Sequence, residues 1–134
     1  MVKGFRVVAA VARAARLAGE PLSFTVLGPS ADPDRLKKEG VTVTGPYAAQ
    51  DLDELLEATA PHVVFLPAIW PETWSFVLTA ALHRGLPVVA FDLGAPAERL
   101  RRLGRGHILP LELSTRPGDL LATFRSLRAR WIVR

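Results

Sequence analysis

The stretch FLPAIWPETWSFVLTAALHRGLPVVAFDLGAPAER, Phe65–Arg99, decides the fold. A short apolar run, His62 to Leu66, leads into it and reads as a buried strand. Pro67 and Pro71 stop that strand and force a loop. The apolar spacing then predicts a helix from about Thr73 to His83, with Phe76, Val77, Ala80 and Ala81 on its apolar side. Gly85 is placed to end that helix in a left-handed conformation, and Pro87–Phe91 reads as the next buried strand. A strand–loop–helix–strand unit of this kind aims the helix's first amides across the carboxyl ends of the strands. Those unpaired N–H groups and the helix dipole favour a phosphate there.

Outward from this unit the same alternation continues in both directions. Gly4–Ala18 reads as a helix in which Arg6, Arg13 and Arg16 form one narrow polar stripe. So wide an apolar surface predicts burial on more than one side. Strands are expected at Leu22–Leu27 and Val41–Thr44, ending at Gly28-Pro29 and Gly45-Pro46-Tyr47. Between them lies a short polar helix, Pro33–Glu39, capped by Asp32. Gln50–Ala60 is a helix with Leu52, Leu55 and Leu56 inward. After the central unit come a helix at Pro96–Leu103, a strand at Gly106–Leu109, a loop at Leu111–Pro117 and a helix from about Asp119 to Trp131. Five short apolar strands, each followed by a helix, indicate an α/β fold with a parallel sheet and right-handed crossovers. The 134 residues suffice for one domain with a substantial core.

The central stretch resembles the donor-site signature of group-1 retaining glycosyltransferases with the GT-B fold. Pro71, Glu72, Ser75, Gly85, Pro87, Val88, Val89 and Ala90 match that signature, and Gly94, Pro96 and Glu98 match the turn that follows it. The family has a second Glu eight positions after the first, and here that position is Ala80. The resemblance implies a three-layer α/β/α Rossmann-like domain over residues 1–134, with a parallel sheet of about five strands. It implies a sugar-nucleotide-binding domain that, with an acceptor domain, moves a sugar from a nucleotide diphosphate to an acceptor with retention of configuration. The donor-binding residues it implies are Lys3, Tyr47, Glu72, Thr73, Trp74, Ser75, Phe76 and Val77. Lys3 would pair with the donor diphosphate, Glu72 would contact sugar hydroxyls, and amides around Trp74–Val77 would cradle the diphosphate. Tyr47 would line the base pocket. No catalytic residue and no cofactor beyond the nucleotide-sugar donor is assigned. The competing expectation is a non-catalytic interaction module, or a degenerate remnant, on the same fold. Ala80 favours it, since Ala accepts no hydrogen bond from a ribose.

The family's donor domain opens with a strand ahead of its first helix, and Met1-Val2 leaves no room for one. Without that strand the sheet order 3-2-1-4-5-6 becomes 3-2-4-5-6, which is the flavodoxin-like order when renumbered. The sheet could close without the strand or borrow one from a neighbour. The expected partners are accordingly a missing acceptor domain or a second copy of the chain, and the chain alone is expected not to catalyse.

Composition narrows the remaining classes. The sequence has no Cys, which removes disulfides and Cys-based metal sites, and its three His residues have no ligand spacing. No metal site is expected. Asp51-Leu52-Asp53 has the spacing of a metal-binding pair but sits at a helix start and reads as capping. Ser75 lacks the flanking glycines of a nucleophile elbow. Fourteen of the seventeen basic residues are Arg, a bias that fits a GC-rich bacterial genome, and the formal net charge is +4. Two Arg clusters, at residues 99–105 and 125–134, read as solvated helix faces, with contact to an acidic partner or membrane surface as the alternative. No interleaved aromatics stand ready to stack bases, which argues against nucleic acid. Arg13 and Arg16 interrupt the apolar N-terminus, so it reads as an amphipathic helix and not a signal peptide, and a cytoplasmic location is expected.

Overall fold

The computed structural model describes residues 4–69 and 76–132. Six helices and five short strands alternate along them. They are α1 (Phe5–Leu17), β1 (Thr25–Val26), α2 (Pro33–Lys38), β2 (Thr42–Val43), α3 (Leu52–Thr59), β3 (Val64–Leu66), α4 (Phe76–His83), β4 (Val88–Phe91), α5 (Gly94–Leu103), β5 (His107–Leu109) and α6 (Pro117–Ile132). Every strand pairing is parallel. The expected single sheet of about five strands is instead divided: β1 pairs with β2, and β3-β4-β5 form a separate sheet. The division follows from the hydrogen bonding: among the described residues no backbone bond joins β1 to β3. β2 lies at an edge and β4 in the middle of its sheet, in keeping with the expected order.

Alternation along β4 sorts the helices into two layers. Val89 and Phe91 point toward α1 and α6, where they pack with Val7, Val11, Leu120 and Phe124. Val88 and Ala90 point the other way, toward Leu52 and Leu56 of α3, Leu78 and Ala81 of α4, and Leu100 of α5. α1 also packs against Leu36 of α2 and Val41 through Val8, Ala9 and Ala12. It is therefore buried on two sides, while Arg6, Arg13 and Arg16 stay exposed. The result is the three-layer arrangement, with α1, α2 and α6 on one face and α3, α4 and α5 on the other. Three aromatic contacts brace the first face. Phe65 meets Phe91 and Phe124 edge-on at 5.7 and 5.1 Å, and Phe24 lies 6.5 Å from Phe124.

Local signals explain most of the element ends. Asp32 caps α2: its carboxylate accepts the Arg35 N–H at 3.1 Å, with Pro33 in the first helical turn. Gly85 is left-handed at φ 69, and the Leu86 N–H donates back to the Ala81 carbonyl, closing α4. Asp51 differs from expectation. A 3-10 turn, Ala49–Asp51, runs straight into α3, so Asp51 has helical backbone and makes no side-chain cap bond. Phe76 differs as well: it is 70% exposed, and Leu78 and Ala81 take the buried positions of α4. Those two are three residues apart on the inward face, and Phe76 lies more than half a turn away from Leu78.

Candidate functional site

The carboxyl ends of the strands form the site. β1 runs into Leu27-Gly28 and β2 into Thr44-Gly45, and these two exits are tied together. The Gly28 N–H donates to Thr44 Oγ1 at 2.9 Å, and that hydroxyl donates to the Gly45 carbonyl at 3.1 Å. An isolated bridge also joins Gly28 and Gly45. Tyr47 then folds back over Gly28, where a Cβ would meet its ring at 3.4 Å. The ring is half-buried and packs with Leu27 and Leu66 against the α3–α5 layer. Tyr47 thus stands at the mouth of the strands, its hydroxyl attached to a body fixed by apolar contacts.

The start of α1 is held at the same edge. Gly4 is left-handed at φ 82, and a Cβ there would fall 2.0 Å from the Pro67 carbonyl oxygen. Only a glycine allows this approach. It seats the N-terminus of α1 directly against the residue that follows β3. The first turn of α1 carries no acidic residue. The positive dipole end of α1 therefore lies at the strand ends with no acidic residue of its own first turn to offset it.

α4 contributes from the opposite layer. Phe76 and Ala80 are one turn apart on the same stripe of the helix. Ala80 and Val77 are half-buried against the α3–α5 core, whereas Phe76 projects outward. Thr79, on another face, accepts from Arg99 Nη1 at 2.7 Å, which ties α4 to α5. Asp92, the acidic residue after β4, is engaged by Arg101 at 2.9 Å.

Of the expected donor-binding residues, Tyr47, Phe76 and Val77 are thus placed, Tyr47 beyond the end of β2 and the other two in the first turn of α4. Lys3, Glu72, Thr73, Trp74 and Ser75 lie outside the described residues. Sequence reading passed over the Gly4–Pro67 contact and the clasp between Gly28 and Thr44. Each residue was visible only as a strand or helix boundary, and the contacts join segments distant in sequence. Among the described residues no group of three His, Asp or Glu side chains gathers to hold a metal ion. No described helix is long and apolar enough to cross a membrane.

A solved structure of similar fold is the apo-form glycosyltransferase GlyE of Streptococcus pneumoniae TIGR4, with a TM-score of 0.60 and 19% identity. The match covers 94% of this chain and 30% of that one, so the chain spans about a third of that enzyme's length. No curated protein matches the chain. The model of the family described as glycosyl transferases group 1 matches residues 1–121, and the chain belongs to that family.

Proposed function

We propose that the chain is the sugar-nucleotide-binding domain of a retaining glycosyltransferase. The observation that carries this reading is Gly4 pressed on Pro67, which delivers the acid-free start of α1 to the carboxyl ends of the strands. A diphosphate at that edge would meet helix-start amides from α1 and, as the family resemblance implies, amides of Trp74, Ser75, Phe76 and Val77. By the resemblance, Lys3 would pair with the diphosphate, Glu72 would take the hydroxyls of the donor sugar and Tyr47 would line the base pocket. The domain's contribution to catalysis is positioning the donor and stabilising the leaving diphosphate. Transfer itself needs a second wall and an acceptor site, supplied by an acceptor domain, in a bacterial cytoplasmic enzyme.

A second reading, an interaction module that has lost the donor, is favoured by one observation. Ala80 lies against the apolar layer and offers no acceptor to a ribose. Calorimetric titration separates the two. Nucleoside diphosphates should bind in about the millimolar range. Ala80→Glu should tighten them by about 1–3 kcal/mol, the range of a hydrogen bond to a charged group. Inorganic pyrophosphate, lacking a ribose, should be unaffected by that substitution. No binding by either protein, or equal gains for pyrophosphate, would leave the module reading.

A further inference from the structure

A helix that links two parallel strands starts at their carboxyl ends and returns to their amino ends. α1 runs the same way, since Gly4 at its start touches Pro67 beyond β3 and its end leads into β1. The last turns of α1, α2, α4 and α5 therefore gather at one pole, opposite the candidate site. Charge is divided between the two poles. Asp34, Asp51, Asp53 and Glu54 lie at the starts of α2 and α3. The last turns carry Arg16 in α1, Lys37 and Lys38 in α2, and Arg102 in α5, with Arg84 and Arg105 just beyond α4 and α5.

The helix dipole accounts for part of this division, because the last carbonyls of a helix favour a cation. Acids at the basic pole are already engaged: Glu20 by Arg125 at 2.6 Å and Glu39 by Arg16 at 2.8 Å. Lys37, Lys38, Arg84 and Arg102 are exposed and make no ion pair among the described residues. Two large apolar side chains stand exposed beside these cations. Leu17 ends α1 and is 68% exposed, and Leu103 ends α5 and is 49% exposed. Arg16 and Arg102 directly precede them. α1 and α5 belong to opposite layers, so the two leucines flank the amino ends of the strands from either side.

We propose that this pole rests on a bilayer surface rich in anionic phospholipid. Its unpaired cations would meet the lipid phosphates, and Leu17 and Leu103 would enter the boundary between headgroups and acyl chains. The neighbouring arginines have stems long enough to keep their charge among the headgroups while the leucines go deeper. An acidic protein would match the cations but would need a shaped apolar pocket for each leucine. The bilayer boundary takes both with no shaped partner. This surface is independent of the donor reading, since it lies opposite the carboxyl ends of the strands.

The chain has no Cys, so one introduced Cys can carry a fluorophore at a chosen place. Leu17→Cys and Leu103→Cys mark the proposed surface, and Asp53→Cys, in the first turn of α3, marks the opposite pole. Each labelled chain is mixed with vesicles of phosphatidylcholine, with or without phosphatidylglycerol, that carry a quencher in their acyl chains. Vesicles with phosphatidylglycerol should bind the chain and quench the labels at both leucine positions, sparing the one at Asp53. Replacing Lys37, Lys38 and Arg102 by Gln should weaken binding by about fivefold per cation. Leu17→Ser with Leu103→Ser should weaken it as well. Three outcomes overturn the proposal. One is no binding to phosphatidylglycerol vesicles. Another is equal quenching at both poles, which means adsorption through net charge alone. The third is polyglutamate bound as tightly as the vesicles with no effect of the two Ser substitutions, which means an acidic protein partner.

Discussion

β4 and β1 are both short parallel strands, yet they are buried in opposite ways. Val88, Val89, Ala90 and Phe91 are all buried, between strands on both edges and helices on both faces. In β1 an exposed Thr25 precedes a half-buried Val26, and in β2 an exposed Thr42 precedes a half-buried Val43. The difference shows how a strand's place in the sheet is written in its side chains. A continuous apolar run tolerates water on neither face, whereas Thr at alternate positions tolerates it on one. The three-stranded sheet is accordingly the stable centre. The two-stranded sheet depends on α1, α2 and the Phe24–Phe124 contact to stay in place.

The largest effect should come from the centre of that contrast. Phe91→Ala empties a site that is 2% exposed, and should cost about 3–5 kcal/mol in urea unfolding. Val43→Ala, at the half-buried edge, should cost about 1 kcal/mol. Equal losses would mean that the two sheets are equally buried in solution.

Next comes the anchor of α1, the helix that spans both sheets. Gly4→Ala should lose about 1–2 kcal/mol from the left-handed backbone alone, with displacement of Pro67 adding to it. Thermal unfolding gives the loss, and exchange at the α1 amides shows whether the helix has shifted. An unchanged melting temperature would break the assignment of Gly4 as the contact that seats α1 against the strand ends.

A smaller effect compares two helix starts, that of α2 beside the two-stranded sheet and that of α3 over the three-stranded one. Asp32→Ala should destabilise by about 1 kcal/mol because it removes a cap bond from α2. Asp51→Ala should be close to neutral, since Asp51 makes no such bond to α3. Urea titrations of both variants compare them directly.

The smallest effect is electrostatic. The Arg16 guanidinium donates to the Glu39 carboxylate at 2.8 Å and holds its pKa below 4.5, the ordinary value. A depressed folded pKa adds stability above the unfolded value, and that stability is lost as pH falls through the lower folded value. In a carboxylate NMR titration, Arg16→Ala should raise the Glu39 pKa toward its ordinary value and flatten the acid limb of stability in that window. A Glu39 titration unmoved by Arg16→Ala would show that the pair does not persist in solution.

The order of elements, their α/β class and several of their ends are legible in the residues alone. Asp32 before Pro33 announced a cap, Gly85 announced a stop, and Val88–Phe91 announced a strand buried on both faces. These signals act over a few residues, through backbone conformation and the period of apolar side chains. The family signature around Pro71 and Gly85 was legible for the same reason, as a local pattern. Which edges pair, the outward projection of Phe76, and the contacts of Gly4 with Pro67 and Tyr47 with Gly28 emerge only in the folded molecule. Each of these depends on how segments far apart in the chain pack in space. Helix phase, close backbone approach and strand neighbourhood come from the packed layers together, so no single stretch of sequence contains them.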